Sequence, residues 1–145
     1  MKKAVFPGSF DPFTHGHEAI VRRALALFDK IYIAIGVNTD KQYMFSSDER
    51  LQRVHAFFPD EPRIETLIYS DMTVDLCRRL NAQFILRGIR NEKDFAYEQT
   101  VAAVNHTLDP TIDTVILFAD TEHQDISSTI ERERLAHQTD TTHQS

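Results

Sequence analysis

Ala4-Val5-Phe6-Pro7-Gly8-Ser9-Phe10-Asp11-Pro12-Phe13-Thr14-His15-Gly16-His17 is the stretch whose reading decides the fold. An apolar strand candidate, Ala4 to Phe6, feeds a turn of small and polar residues that runs directly into a helical pattern. That order of elements leaves free backbone amides at a helix start, where they and the helix dipole attract an anion. Gly8 and Gly16 carry no side chain to keep a ligand off the backbone, and Thr14 and His17 stand where the turn gives way to those amides. An imidazole can donate a hydrogen bond to a phosphoryl oxygen, so His17 is placed to stabilise charge that grows on a phosphate during transfer.

Further along the chain, apolar runs of strand length recur between segments of helical spacing. The strands are expected at Ala4 to Phe6, Ile31 to Val37, Arg63 to Ile68, Phe84 to Leu86 and Val115 to Ala119. Between them, His17 to Phe28 sets Ile20, Val21, Ala24, Leu25 and Phe28 on one face, and Asp48 to Phe58 repeats the pattern with Leu51, Val54 and Phe58. Ser46-Ser47-Asp48-Glu49 has the spacing of a capping box, and Thr73 to Leu80 and Asp94 to Leu108 supply two more helices. Alternation of strand and helix predicts an α/β, doubly wound fold on a five-stranded parallel sheet, with ligands beyond the carboxyl ends of the strands.

The 145 residues, 41% hydrophobic with ten phenylalanines, suffice for one core and predict a single domain over 1–145. A net charge of −6 argues against nucleic-acid binding, which needs a positive surface, so any anionic ligand must be met by local cations. The single cysteine, Cys77, sits in an apolar helical stretch and is expected to be buried and inert, which fits a reducing cytoplasm. No run is long and apolar enough to cross a membrane, and the N-terminus lacks the core of a signal peptide. The seven histidines include no H-E-x-x-H pair and find no cysteine cluster, so no metal site built from protein ligands is expected.

Thr14-His15-Gly16-His17 resembles the T/H-x-G-H signature of the nucleotidyltransferase superfamily, and Pro7 to Pro12 matches that family's first loop. His15 reads as a solvated loop residue. Leu86-Arg87-Gly88-Ile89-Arg90 starts at a strand end and sets two guanidinium groups about a glycine, a geometry suited to phosphate oxygens. An isolated Arg-x-x-Arg would read as a basic loop paired with Glu92 or Asp94. The run continues to Asp94-Phe95-Ala96-Tyr97-Glu98, however, and the whole resembles the R-G-[LIV]-R-x-x-x-D-F-x-Y-E block of the phosphopantetheine adenylyltransferase branch. Lys41 resembles that branch's lysine at the acceptor phosphate. Asp71-Met72-Thr73-Val74 falls where its members shape the pantetheine pocket, although a helix cap by Asp71 accounts for the same residues. Ile126-Ser127-Ser128-Thr129 resembles the I-S-S-[ST] motif at the ATP phosphates, preceded by His123-Gln124-Asp125 beside the adenosine.

The resemblance implies a Rossmann-like nucleotidyltransferase fold and transfer of AMP from ATP onto 4'-phosphopantetheine in coenzyme A synthesis. It places His17 as the catalytic residue. It assigns ATP to Ser9, Phe10, His17, Gly88, Ile89, Arg90, Glu98, His123, Gln124, Asp125, Ile126, Ser127, Ser128 and Thr129, and the acceptor to Ser9, Lys41, Thr73 and Arg87. It implies Mg2+ bound mainly through ATP phosphates, since that ion keeps its waters and asks little of the protein. It also implies a homohexamer, with coenzyme A as a feedback ligand. The chain departs from the pattern at its polar residues 136–145, where members carry a glycine-aspartate pair and an apolar helix, and Ala136 stands where some have an arginine. Two other readings are a nicotinate or nicotinamide mononucleotide adenylyltransferase, which shares the first and last motifs, and a nucleotide-sensing module without turnover.

Overall fold

Five parallel strands form one sheet in the order β3-β2-β1-β4-β5 in the computed structural model, which describes residues 1–120 and 128–137. The chain runs β1 (Lys3–Gly8), α1 (His15–Ala24), β2 (Lys30–Gly36), α2 (Ser47–Phe57), β3 (Ile64–Tyr69), α3 (Thr73–Leu80), β4 (Phe84–Ile89), α4 (Glu92–Leu108) and β5 (Asp113–Phe118). A further helical segment, α5, covers 128–137. The first strand is central, and successive strands are laid outward on one side of it and then on the other.

Strand side chains alternate between two cores, as the period of two requires. Ala4, Phe6, Ile31, Ile33, Ile35 and Leu86 pack on one face with Ile20, Val21 and Ala24 of α1 and Val54 of α2. Val5, Tyr32, Ala34 and Ile85 pack on the other with Val74, Leu76 and Cys77 of α3. Burial on both faces is what lets β1 and β2 read as unbroken apolar runs. Desolvation pushes the buried Cys77 thiol up to about 11, so it is protonated at neutral pH.

The expected elements are all present, with shifted ends. Helix α1 stops at Ala24 rather than Phe28, and the chain tightens through hydrogen bonds from Leu27 and Phe28 amides to the Ala24 carbonyl. Phe28 keeps the helical apolar spacing because it fills the core from that turn. β4 runs on through Arg87, Gly88 and Ile89, paired with Ile116, Leu117 and Phe118, so the arginine motif begins inside the strand. Gly88 permits this, since a Cβ there would come within 3.2 Å of Ile20.

Two caps differ from expectation. Ser46 does accept from the Glu49 amide at 3.2 Å, but the reciprocal capping box forms instead at α1, between Thr14 and His17. Asp71 caps nothing: Met72 is the N-cap residue of α3, and both Asp71 oxygens accept from Arg79 at 2.9 and 3.2 Å. An ion pair with a residue two turns away holds that carboxylate clear of the helix end.

At the end of β1, a Cβ on Gly8 would lie 2.8 Å from the Phe10 ring. Phe10 is buried between Phe6 and Phe13, with centroids at 5.1 and 5.2 Å, and cannot swing aside. Gly8→Ala is therefore an overpacking change, expected to destabilise by about 1–3 kcal/mol. Denaturant unfolding of the variant measures it, and a loss below about 0.5 kcal/mol, the usual range for surface changes, refutes the fit.

Candidate active site

The sheet order reverses at β1, with α1 and α2 over one face and α3 over the other, and ligands bind at such a switch point beyond the carboxyl ends of the strands. Two clefts open there. The first, of about 790 Å³, is lined by Ser9, Lys41, Tyr69, Thr73, Arg87 and Asn105 among others. The second, of about 470 Å³, is lined by Ser9, Phe10, Gly16, His17, Gly88 and Arg90 among others. Pro7, Gly8, Ser9, Arg87 and Glu98 border both.

His17 is the third residue of α1, and its geometry follows from the capping box. The Thr14 amide donates to His17 Nδ1 at 3.0 Å, which leaves the proton of a neutral ring on Nε2. Phe10 and Phe13 pack against the ring with centroids at 5.1 and 5.2 Å. Burial in this aromatic nest lowers the His17 pKa from the ordinary 6.5, and the Arg90 and Arg87 charges lower it further. At neutral pH the side chain is thus an uncharged donor with a fixed orientation. His15, by contrast, is exposed and reaches Glu18 at 3.1 Å.

Arg87 and Glu98 meet. The guanidinium donates from Nε and Nη2 to the two Glu98 oxygens at 2.9 and 2.7 Å, and from Nη1 to the Pro7 carbonyl. Glu98 is 5% exposed, so its charge is held by that fork. Of the partners the sequence suggests for an isolated basic loop, Asp94 does meet Arg90, accepting from its amide at 3.1 Å and lying 3.7 Å from Nε, whereas Arg87 is committed to Glu98. The Ile89 side chain is buried, its carbonyl accepts from the Ala119 amide at 2.8 Å, and it lines neither cleft.

Lys41 lies in the segment between β2 and α2, which is fastened to the first loop. Both Asp11 oxygens accept from that segment, the Met44 amide at 2.6 Å and the Phe45 amide at 2.8 Å. The Tyr43 hydroxyl accepts from the Asn38 amide at 2.9 Å. On the far wall of the larger cleft the Tyr69 and Thr73 hydroxyls are 3.1 Å apart.

Ser9, Lys41, Thr73 and Arg87 thus line one cleft, and Ser9, Phe10, His17, Gly88 and Arg90 the other. Ser128 and Thr129 begin α5; His123, Gln124, Asp125, Ile126 and Ser127 lie outside the described residues. Tyr97, Val101, Ala102 and Asn105 also line the larger cleft. Their spacing of three and four from one another and from Glu98 marks one face of α4, a signal present in the sequence.

Donors at a strand-to-helix turn, beyond the carboxyl ends of a doubly wound sheet, make a Rossmann-like site for a phosphate-bearing ligand. Residues 5–134 match the cytidylyltransferase-like family model. A phosphopantetheine adenylyltransferase of Flavobacterium johnsoniae is 48% identical over 94% of this chain and 90% of its own length. That of Bacteroides fragilis is 45% identical over 97% and 93%. A bifunctional NMN adenylyltransferase/ADP ribose pyrophosphatase from Francisella tularensis superposes with a TM-score of 0.65 at 19% identity, covering 85% of this chain and 39% of that one. A lipopolysaccharide core biosynthesis protein from Thermoplasma volcanium gives 0.59 at 16% identity, over 85% and 99%. These two structures share the fold. The chain belongs to the cytidylyltransferase-like family and, within it, to the phosphopantetheine adenylyltransferases.

The lowered His17 pKa has a definite sign. The neutral ring is favoured by the folded state, so its contribution to stability is complete above pH 6.5 and is lost as pH falls through the lower native value. NMR titration is expected to show the Nε2–H tautomer at pH 6.5, with protonation only below it. Arg90→Met should move the midpoint upward; a midpoint above 6.5 in the parent protein contradicts the geometry.

Proposed function

We propose that this protein transfers the adenylyl group of ATP to 4'-phosphopantetheine, giving dephospho-coenzyme A and pyrophosphate. The observation that carries the reading is the meeting of two clefts at Ser9 and Arg87, with a neutral, oriented imidazole on the wall of the smaller one. An acceptor phosphate in the larger cleft and a nucleotide in the smaller one reach each other across that shared wall.

In this reading an oxygen of the acceptor phosphate attacks the α-phosphorus of ATP in line. One P–O bond forms and the bond to the β,γ-pyrophosphate breaks, so no residue serves as a covalent nucleophile. Ser9, Lys41, Thr73 and Arg87 seat the acceptor. His17 donates from Nε2 to the α- and β-phosphates as charge accumulates, aided by Arg90 and the amides at the start of α5. Gly88 and Phe10 approach ATP through their backbones. Glu98 acts by fixing Arg87, whose fork it occupies, so a phosphate meets the outward N–H groups of that guanidinium rather than its paired edge. Residues 123–127 complete the nucleotide side in this proposal. Positioning and preorganised donors supply the rate.

Magnesium enters as part of the substrate, MgATP. Among the described residues no group of three or more carboxylate, histidine or cysteine side chains is gathered to hold a metal, and Asp11, Asp94 and Glu98 are engaged with protein donors. Among these residues no helix is long and apolar enough to cross a membrane. We place the protein in the cytoplasm, whose reducing conditions suit the free buried thiol of Cys77, and read the chain as one domain. Exposed Phe95, Tyr97 and Val104 on α4 offer apolar surface for contacts between subunits in the homohexamer of this proposal, which also takes coenzyme A as a feedback ligand.

His17→Ala is expected to lower turnover by about 10²–10³, the usual effect of losing one donor aimed at transition-state charge, with little change in ATP affinity. Pyrophosphate release at saturating substrates measures it, and near-parental turnover removes His17 from the chemistry.

Lys41→Ala is the cleaner probe of the acceptor, because Arg87→Ala would also strand the buried Glu98 carboxylate, a loss of about 3–5 kcal/mol. Removing a charge-assisted bond worth roughly 1.5–3 kcal/mol should weaken phosphopantetheine about tenfold or more. Calorimetric titration tests this, and unchanged affinity takes Lys41 out of the acceptor site.

Pantetheine without its phosphate should not react, since the attacking oxygen belongs to that phosphate. Nicotinamide mononucleotide, with a ribosyl ring in place of a slim arm, should react poorly beside Met72 and Thr73. Brisk pyrophosphate release with the mononucleotide and none with phosphopantetheine would keep the adenylyl transfer and overturn the acceptor.

A further inference from the structure

Arg50 of α2 is 1% exposed, and no carboxylate pairs with it among the described residues. A buried cation without a counter-charge is costly, so the contacts that hold it carry information. Its Nη1 donates to the Ser9 carbonyl at 2.8 Å and the Gly36 carbonyl at 3.1 Å. The guanidinium lies 4.0 Å from the centroid of the Tyr43 ring, and Nε has no partner. One side chain therefore grips the loop after β1, the end of β2 and the segment that carries Lys41.

The consequence follows from the planarity of the peptide, in which C=O and N–H point in opposite directions. Gly36 turns its carbonyl to Arg50, and the Val37 amide beyond it points away, onto the Tyr69 carbonyl at 2.9 Å. Ser9 does the same, which sends the Phe10 amide away from Arg50. That amide finds no acceptor among the described residues. Phe10 also has φ of 47°, a left-handed conformation unfavourable for a bulky side chain. Strain of this kind persists where the surroundings impose it, often at a functional site. Ser9 and Phe10 line the cleft that holds His17 and Arg90.

We propose that Arg50 is a positioning residue that fixes the Ser9–Phe10 peptide so that the Phe10 amide meets a phosphate oxygen of the nucleotide. Through Tyr43 it holds the Lys41 segment in the same frame. It touches neither substrate. The inference rests on the adenylyl-transfer reading only for the identity of the nucleotide as MgATP.

Calorimetric titration of MgATP, without acceptor, into the parent protein, Arg50→Met and Arg50→Lys tests it, alongside thermal unfolding of each. Arg50→Met keeps an apolar stem of similar length but no donor, and is expected to bind about tenfold more weakly, as for loss of one oriented bond to a charged group. Arg50→Lys can reach one carbonyl, so its affinity should fall between the two. A purely structural role predicts lower melting temperatures with parental affinity per folded molecule in both variants, and that result overturns the proposal. If Arg50→Met does not fold, Arg50→Lys decides: reduced affinity in a folded protein supports the proposal, and parental affinity overturns it. Parental binding of MgATP with no pyrophosphate released in the presence of phosphopantetheine would overturn the acceptor reading while leaving this test intact. Failure of the parent to bind MgATP would overturn both.

Discussion

The buried pair of Arg87 and Glu98 is the constraint on which the site depends. β1 and β4 are paired at Ala4 with Phe84 and at Val5 with Ile85, and the pairing register goes no further. Beyond that point the two central strands part, which is how a gap appears at the switch point. Arg87 spans it, donating to Pro7 of β1 and to both oxygens of Glu98 on α4. A carboxylate buried without partners would be prohibitively unfavourable. Because the fork satisfies it, α4 is docked against the sheet and the separation of the strands is fixed. Both clefts take their common wall from this arrangement.

Charge works locally here. The chain carries a net −6, yet Lys41, Arg50, Arg87 and Arg90 all gather at the carboxyl end of the sheet. Glu98 and Asp94 temper two of these cations, and Arg50 is balanced by carbonyl dipoles and an aromatic face. Burial in the apolar nest does most to keep His17 neutral, and the Arg90 and Arg87 guanidinium groups add to it by opposing a further positive charge. A donor that stays neutral needs no proton rearrangement before a phosphate arrives.

Much of this was legible in the sequence because it is local. The unbroken apolar runs of Ala4 to Phe6 and Ile31 to Ile35 report burial on both faces, and Thr14-His15-Gly16-His17 encodes a helix start within four residues. Phe28 shows the limit: its spacing matches a helix that has already ended, because the core and the helix demand the same residue type. Glu98 shows another. Its motif places it near the nucleotide, but only the fold shows that its oxygens are committed to Arg87, eleven residues away. Nothing in the sequence shows what Asp11 and Arg50 hold, since their partners stand 33 or 34 and 14 or 41 residues off. Long-range partners of polar side chains leave no periodic trace.

Cys77 offers a use of a different kind. It is the chain's single cysteine, fully buried between α3 and the sheet, with its thiol pushed up to about 11. The thiolate is the form that attacks a thiol reagent, so labelling must wait for an opening that both hydrates the sulfur and restores its ordinary acidity. The rate of modification then acts as a clock for unfolding of the β1–β2–α3 core, readable at a single sulfur without any engineered probe.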